Sequence, residues 1–208
     1  MDTVPKFLAI TQDRLVASIA DDLDARDGHR VVAVDGPDAA DPLAFARRLV
    51  REFHDRGEAA EVVSMHDYVR PASLRLEFGR TDEMSYRTAW FDFAALRREV
   101  LDAVREHDRW LPALWDEAQD RSARAAMRRA PARTVLAVAG PMLLGRGLDF
   151  DLTVGLEMSE AALRRRTPAD EQWTIEALSR FARENIDPAD YRVRWDHPDR
   201  PALLLPEP

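Results

Sequence analysis

The chain contains no cysteine, which excludes disulfides and thiolate metal sites together with the small secreted folds that depend on them. It has a single lysine, Lys6, and every other cation among its 30 basic residues is arginine. No stretch approaches the roughly 20 apolar residues of a membrane span. The opening residues MDTVPKFLAITQDRL lack the basic flank and unbroken apolar centre of a signal peptide. These absences predict a soluble, cytoplasmic protein that does not engage membranes. Net positive charge is missing too: 38 acidic residues against 30 basic give −8. That balance argues against a general nucleic-acid binder and leaves only local patches. The histidines, at 29, 54, 66, 107 and 197, show no H-x-x-x-H spacing, so no metal site is expected, and there is no G-x-S-x-G elbow.

What is present suits a single domain over 1–208, because 208 residues with 46% apolar side chains bury a good-sized core. Strand-like runs alternate with helical patterns, a rhythm that predicts an α/β fold with a parallel sheet and helices on both faces, a three-layer sandwich. An N-terminal helix is expected over 7–25 within the 1–28 segment, from the spacing of Leu8, Leu15, Ile19 and Leu23, with Gly28 ending it. Strands are predicted at 30–34, 61–65, 134–140 and 151–158, and a last, edge strand at 191–195. Between them, Phe45, Leu49, Val50 and Phe53 mark a helix closed by Gly57. A later helix starts with Asp92 as N-cap and Phe91 and Leu96 as a hydrophobic staple. Ser159 caps AALRRR, and Thr167 with Pro168 opens a helix to about Asn185. Trp90, Trp110 and Trp115 are expected to pack in the core or an interface.

The first of these units, VAVDGPDAADPLAFARRL at 32–49, has the outline of a phosphate-binding loop. A motif of the form G-x-x-x-x-G-K-[ST] cradles phosphates with backbone N–H groups, bridges them with lysine and holds Mg²⁺ with a hydroxyl. Counted from Gly36, this chain places Asp41, Pro42 and Leu43 at the Gly, Lys and Ser/Thr positions. A carboxylate about 6 Å from a phosphate charge costs roughly 3 kcal/mol at an effective dielectric near 20. Asp41 and Pro42 nevertheless make a good N-cap and N1 pair, so the helix is expected to start normally.

VVAVDGP, HDYVRPASLR, EFGRTDEMSYRTAWFDFAALRREVL, PALWDEAQDR, VLAVAGPMLL, DLTVGLEMSEAALRRR and WDHPDRPALL follow one another in an order that resembles the uridine kinase-like branch of the P-loop kinases. The resemblance implies a P-loop NTPase-like fold and, in active relatives, transfer of a phosphoryl group from ATP with Mg²⁺ to a hydroxyl of a nucleoside or similar small molecule. It divides the chain into a degenerate phosphate-loop unit (30–57), an acceptor region (66–92) and a shortened lid (159–186). A carboxylate that serves the acceptor hydroxyl is expected after the second strand. This chain has His66 in that place and Asp67 beside it, so the catalytic candidates are His66 or Asp67, of which strand alternation would point only one into the pocket. The acidic residue expected at the end of the 134–140 strand is replaced by Ala139, and the lid keeps Arg164, Arg165 and Arg166. Arg70, Arg75, Arg80, Tyr86 and Asp92 are candidates for substrate contact, or alternatively surface charge, core packing and a helix cap. Two readings follow. Either ordinary phosphoryl transfer is lost and the chain serves as a binding or regulatory protein, alone or as a homo- or hetero-oligomer, or it is a kinase with ATP and Mg²⁺ in a rearranged site that uses Arg47, Arg164 or Arg165 as cations.

Overall fold

The computed structural model describes residues 6–185 and 187–205; the first five residues of the expected N-terminal segment lie outside the described residues. The elements run β1 (Phe7–Ala9), α1 (Gln12–Asp24), β2 (Arg30–Asp35), α2 (Pro42–Asp55), β3 (Ala60–Ser64), α3 (Ala72–Arg75), α4 (Glu83–Thr88) and α5 (Phe93–Leu96). A π-helical stretch, Arg97–Asp102, joins α5 to α6 (Ala103–His107). Two small antiparallel pairs follow, β4 (Arg109–Trp110) with β7 (Arg128–Arg129) and β5 (Trp115–Asp116) with β6 (Arg121–Ser122). The chain then forms β8 (Val135–Gly140), β9 (Leu152–Glu157), α7 (Glu160–Arg166), α8 (Thr174–Glu184), β10 (Tyr191–Arg194) and β11 (Ala202–Leu204).

The main sheet has the order β1-β11-β10-β9-β2-β8-β3, with the five strands from β10 to β3 parallel and the β11 and β1 edge antiparallel. Both faces are buried, as parallel sheets require. Along β2, Val32 and Val34 face one core with Leu15, Ile19, Phe45 and Leu49 of α1 and α2. Val31 and Ala33 face the other, with Leu96, Val100 and Leu101 of the α5–α6 rod and Ala177 and Phe181 of α8. Strand β8 splits in the same way: Val135, Ala137 and Ala139 against Leu136 and Val138. Helices therefore cover both faces of the sheet, as the alternation in the sequence predicts. No helix among the described residues is long and apolar enough to cross a membrane.

Three expectations are corrected. Residues 7–9 are a strand, not helix: Thr11 is extended (φ −83°, ψ 155°) and its hydroxyl accepts from Arg14 N–H, so α1 starts only at Gln12. The 191–194 strand is interior, because β11 and β1 add antiparallel strands beyond it. Thr167 ends α7 instead of opening α8: Gln172 Nε2 donates to the Arg164 and Thr167 carbonyls, and α8 begins at Thr174. Caps at Asp41, Asp92 and Ser159 are as expected, accepting from Ala44, Ala95 and Ala162 N–H respectively. Gly57, at φ +80°, follows α2 in the left-handed conformation that closes a helix.

Candidate functional site

Strand β2 lies between β8 and β9, and the chain leaves it for β3 on one side while β8 leads to β9 on the other. In open α/β sheets the crevice beyond the strand carboxyl ends at such a switch point is where ligands bind. The loop from Gly36 to Leu43, the turn after β3, the segment after β8 and the start of α7 meet there.

Gly36 donates its N–H to the Gly140 carbonyl, tying the loop to the end of β8. A Cβ at Gly36 would come within 3.0 Å of Leu156 Cβ and 3.2 Å of its carbonyl oxygen, so any larger residue would press the loop away from β9. A 3-10 turn at Asp38–Ala40 follows, and Asp41 is left-handed at φ 54°, ψ 58°. The residue type is unusual there but tolerated, since Asp enters this region more readily than most side chains. The motif's second glycine would sit at this position, so the turn into α2 uses a backbone conformation that glycine reaches freely. Asp41 Oδ1 accepts from Ala44 N–H at 3.0 Å. At the end of β2, Asp35 accepts from Leu143 N–H at 2.7 Å. Burial raises its pKa to about 7, opposed by the Leu143 and Leu144 N–H groups and by Arg146.

The turn after β3 departs from the alternation expected of a strand. Ser64 Oγ accepts from His66 N–H, and Met65–Tyr68 form a 3-10 turn, so strand alternation does not decide between His66 and Asp67. His66 Nε2 bonds Asp38 Oδ1 at 3.0 Å and Nδ1 bonds Glu117 Oε2 at 2.9 Å. Burial works against a charge on this ring, but the hydrogen bonds to Asp38 and Glu117 outweigh it and hold the pKa at about 10. At neutral pH His66 is an imidazolium with both N–H groups donated, and a general base needs a free lone pair. Burial raises the pKa of Asp67 too, against the pull of His66. Its carbonyl accepts from Leu114 N–H.

Glu117 is the centre of the side-chain network across the crevice from the loop. Beyond His66 it accepts from Arg75 Nη1 at 3.2 Å and Trp90 Nε1 at 3.3 Å. Arg75 is buried, lies 5.2 Å over the Trp90 ring and also pairs with Asp120, which accepts from Ala72 and Trp115 N–H groups. Tyr86 is buried and packs edge-on to Trp90, Phe91 and Trp173. Burial raises its pKa, and Asp38, Glu117 and Glu171 add to the shift. Sequence reasoning missed Asp38, Glu117 and Glu171. Asp38 and Glu117 stand in blocks that were singled out, DGPDAADP and PALWDEAQDR, but nothing in their spacing says that one histidine joins them.

The remaining candidates are spread out. Arg70 is half-buried, with its N–H on the Trp90 carbonyl; Arg80 is exposed; Asp92 caps α5 while its N–H holds the Tyr68 carbonyl. Helix α7 lies against the 38–40 turn, but Arg164 is bonded to Glu160 on its own helix at 2.6 Å and Arg165 is exposed. Arg166 Nη1 is buried without a hydrogen-bond partner. Ala139 is buried between Val34 and Ser64. Among the described residues no group of three or more His, Asp or Glu side chains could hold a metal ion.

No protein-family model matches the sequence, and no curated protein matches it. Solved structures do. A protein described as a possible uridine kinase from Bacillus stearothermophilus superposes with a TM-score of 0.68 at 16% identity, covering 85% of this chain and 96% of that one. A candidate fructose transport system kinase from Silicibacter sp. gives 0.70 at 23% identity, covering 88% and 98%. The D-glycerate 3-kinase from Cryptococcus neoformans gives 0.51 at 13%, covering 84% and 81%. The chain has the fold of the P-loop kinases. In that P-loop kinase fold the Gly36–Leu43 segment occupies the strand-to-helix turn, and His66 with Glu117 stands across from its Asp38.

Proposed function

We propose that this P-loop kinase-like protein does not carry out ordinary ATP-dependent phosphoryl transfer and acts as a binding or regulatory protein. The reading rests on one observation: the charges lining the loop are carboxylates already matched to partners within the chain. Asp38 is bonded to His66, His66 to Glu117, and Asp41 to the Ala44 N–H that opens α2. A triphosphate needs the reverse arrangement, free N–H groups and cations facing negative oxygens. Pro42 has no N–H, Leu43 has no oxygen for Mg²⁺, and Ala139 offers nothing to its waters. The residues present do not fit ATP and its metal. A small neutral or nucleoside-like molecule on the acceptor wall, or a protein partner, suits the charge balance better.

A second reading, an active kinase of a small hydroxyl compound, is favoured by Arg166. Its Nη1 is a buried donor without an acceptor, at the end of a helix that touches the 38–40 turn.

Calorimetric titration with Mg-ATP separates the two. The expected result is no saturable binding up to millimolar nucleotide; saturable micromolar binding, lost in Arg166→Gln, would overturn the exclusion of nucleotide and favour the kinase reading. A triple variant, D41G/P42K/L43T, sharpens the test, because regained binding there would show that the loop's chemistry, not its path, keeps nucleotide out.

A further inference from the structure

The geometry points to a second binding place, far from the loop, for a small oxyanion of the phosphate class. It lies on the β4–β7 pair, where a cleft of about 310 Å³ is lined by His107, Asp108, Arg109, Met127, Arg128 and Arg129.

The strand register sets Arg109 directly opposite Arg129. Directly opposed side chains on an antiparallel pair lie about 5 Å apart at their Cβ atoms, and like charges there destabilise the pair. The other polar side chains around the cleft already have partners. Arg128 pairs with Glu61 at 3.1 Å, His107 lies 3.9 Å from Glu106, and Asp108 bonds His29 at 2.9 Å. Among the described residues neither Arg109 nor Arg129 has an ion-pair partner. The register therefore places two exposed arginines without ion-pair partners side by side at the cleft, where one anion could be shared between them.

The surrounding sequence reinforces the field. In a chain with net charge −8, residues 121–133 carry Arg121, Arg124, Arg128, Arg129 and Arg133 and no acid. Guanidinium groups are planar forks that match the oxygens of phosphate in bidentate pairs, and two of them facing each other can hold three or four oxygens of one tetrahedral anion. Met127, 40% exposed, gives the cleft an apolar side, which suits a phosphate carried on a small organic body as well as free phosphate.

The test is calorimetric titration of the full chain with inorganic phosphate and, separately, with glycerol 3-phosphate, against chloride at matched ionic strength. Saturable binding at millimolar concentration or tighter is expected, weakened at least about tenfold in Arg129→Gln by the loss of one bidentate pair. Arg121→Gln, which removes the same charge from the neighbouring β5–β6 pair, should leave it unchanged. Tighter binding of the organic ester assigns the Met127 side to the body of the ligand; equal binding assigns the site to phosphate alone. The absence of saturable binding, equal loss in both variants, or full binding by Arg129→Gln would each overturn the proposal. Melting in phosphate-free buffer gives an independent reading: Arg129→Gln should melt no lower than the parent, since it relieves the repulsion, and a clear fall would overturn the premise.

Discussion

The loop side of the crevice and the wall opposite it are held together by different means. From Gly36 to Leu43 the shape comes from the backbone: a glycine passing β9, a 3-10 turn, one left-handed residue and a capped helix. Across the crevice it comes from side chains, with Glu117 alone joining His66, Arg75 and Trp90. A loop held by its backbone can exchange its side-chain chemistry while keeping its path. A wall built from charged side chains cannot exchange them without losing contacts. This explains how the fold survives when Asp41, Pro42 and Leu43 stand where a phosphate motif has Gly, Lys and a hydroxyl.

The two regions meet at Gly140, whose carbonyl holds Gly36 N–H and whose own surface touches Met65. Gly140→Ala should have the largest effect of any substitution considered. The residue sits at φ +152°, and an added Cβ would lie 2.4 Å from Met65 Cβ, so strain and overpacking combine to about 3 kcal/mol or more. The midpoint of chemical denaturation measures this. Gly36→Ala, whose nearest neighbour is Leu156 Cβ at 3.0 Å, should cost less. Equal costs would show that the junction is not the rigid point.

Next in size is Glu117→Gln, expected to destabilise by about 2 kcal/mol because a partly buried acceptor of three donors loses its charge. A cost near zero would mean that the opposite wall, like the loop, rests on its backbone. The same variant should lower the His66 pKa from about 10, read by NMR titration of the ring.

That imidazolium carries a pH dependence of its own. Its folded-state pKa is raised above the ordinary 6.5, so the stability it contributes is fully present below pH 6.5 and is lost as pH rises through about 10. With the side chain 40% exposed, solvent screening reduces the effect to about 1 kcal/mol. Melting temperatures between pH 6.5 and 10 should fall more in the parent than in His66→Gln. Parallel curves would remove His66 from the list of groups that hold the wall.

Much of this was legible in the sequence, and the part that was not has a common cause. The parallel sheet could be read because β2 and β8 are unbroken apolar runs, and the caps at Asp41, Asp92 and Ser159 because a cap is decided by residues three apart. The β1–β11 edge could not. Its strands are three residues each, β1 exposed and β11 half-buried, and pair across almost the whole length of the chain. The same holds for the site: Asp38, His66 and Glu117 are 28 and 51 residues apart and meet only through the crossovers of the sheet. Periodicity reports which face a residue takes, and says nothing about which distant side chain waits there.

The smallest effect tests the loop's half of the comparison most directly. Asp41 combines two roles, a side-chain cap on Ala44 N–H and a left-handed backbone, and substitution can separate them. Alanine loses the cap and still strains at φ 54°, so Asp41→Ala should cost about 1 kcal/mol, with the conformational penalty adding to the capping loss. Glycine also loses the cap but reaches this conformation freely, so Asp41→Gly should cost only a few tenths of a kcal/mol. If the loop is shaped by its backbone, the glycine variant is close to the parent in denaturation and the alanine variant is not. If both fall equally, the carboxylate itself holds the loop, and the contrast with the opposite wall disappears.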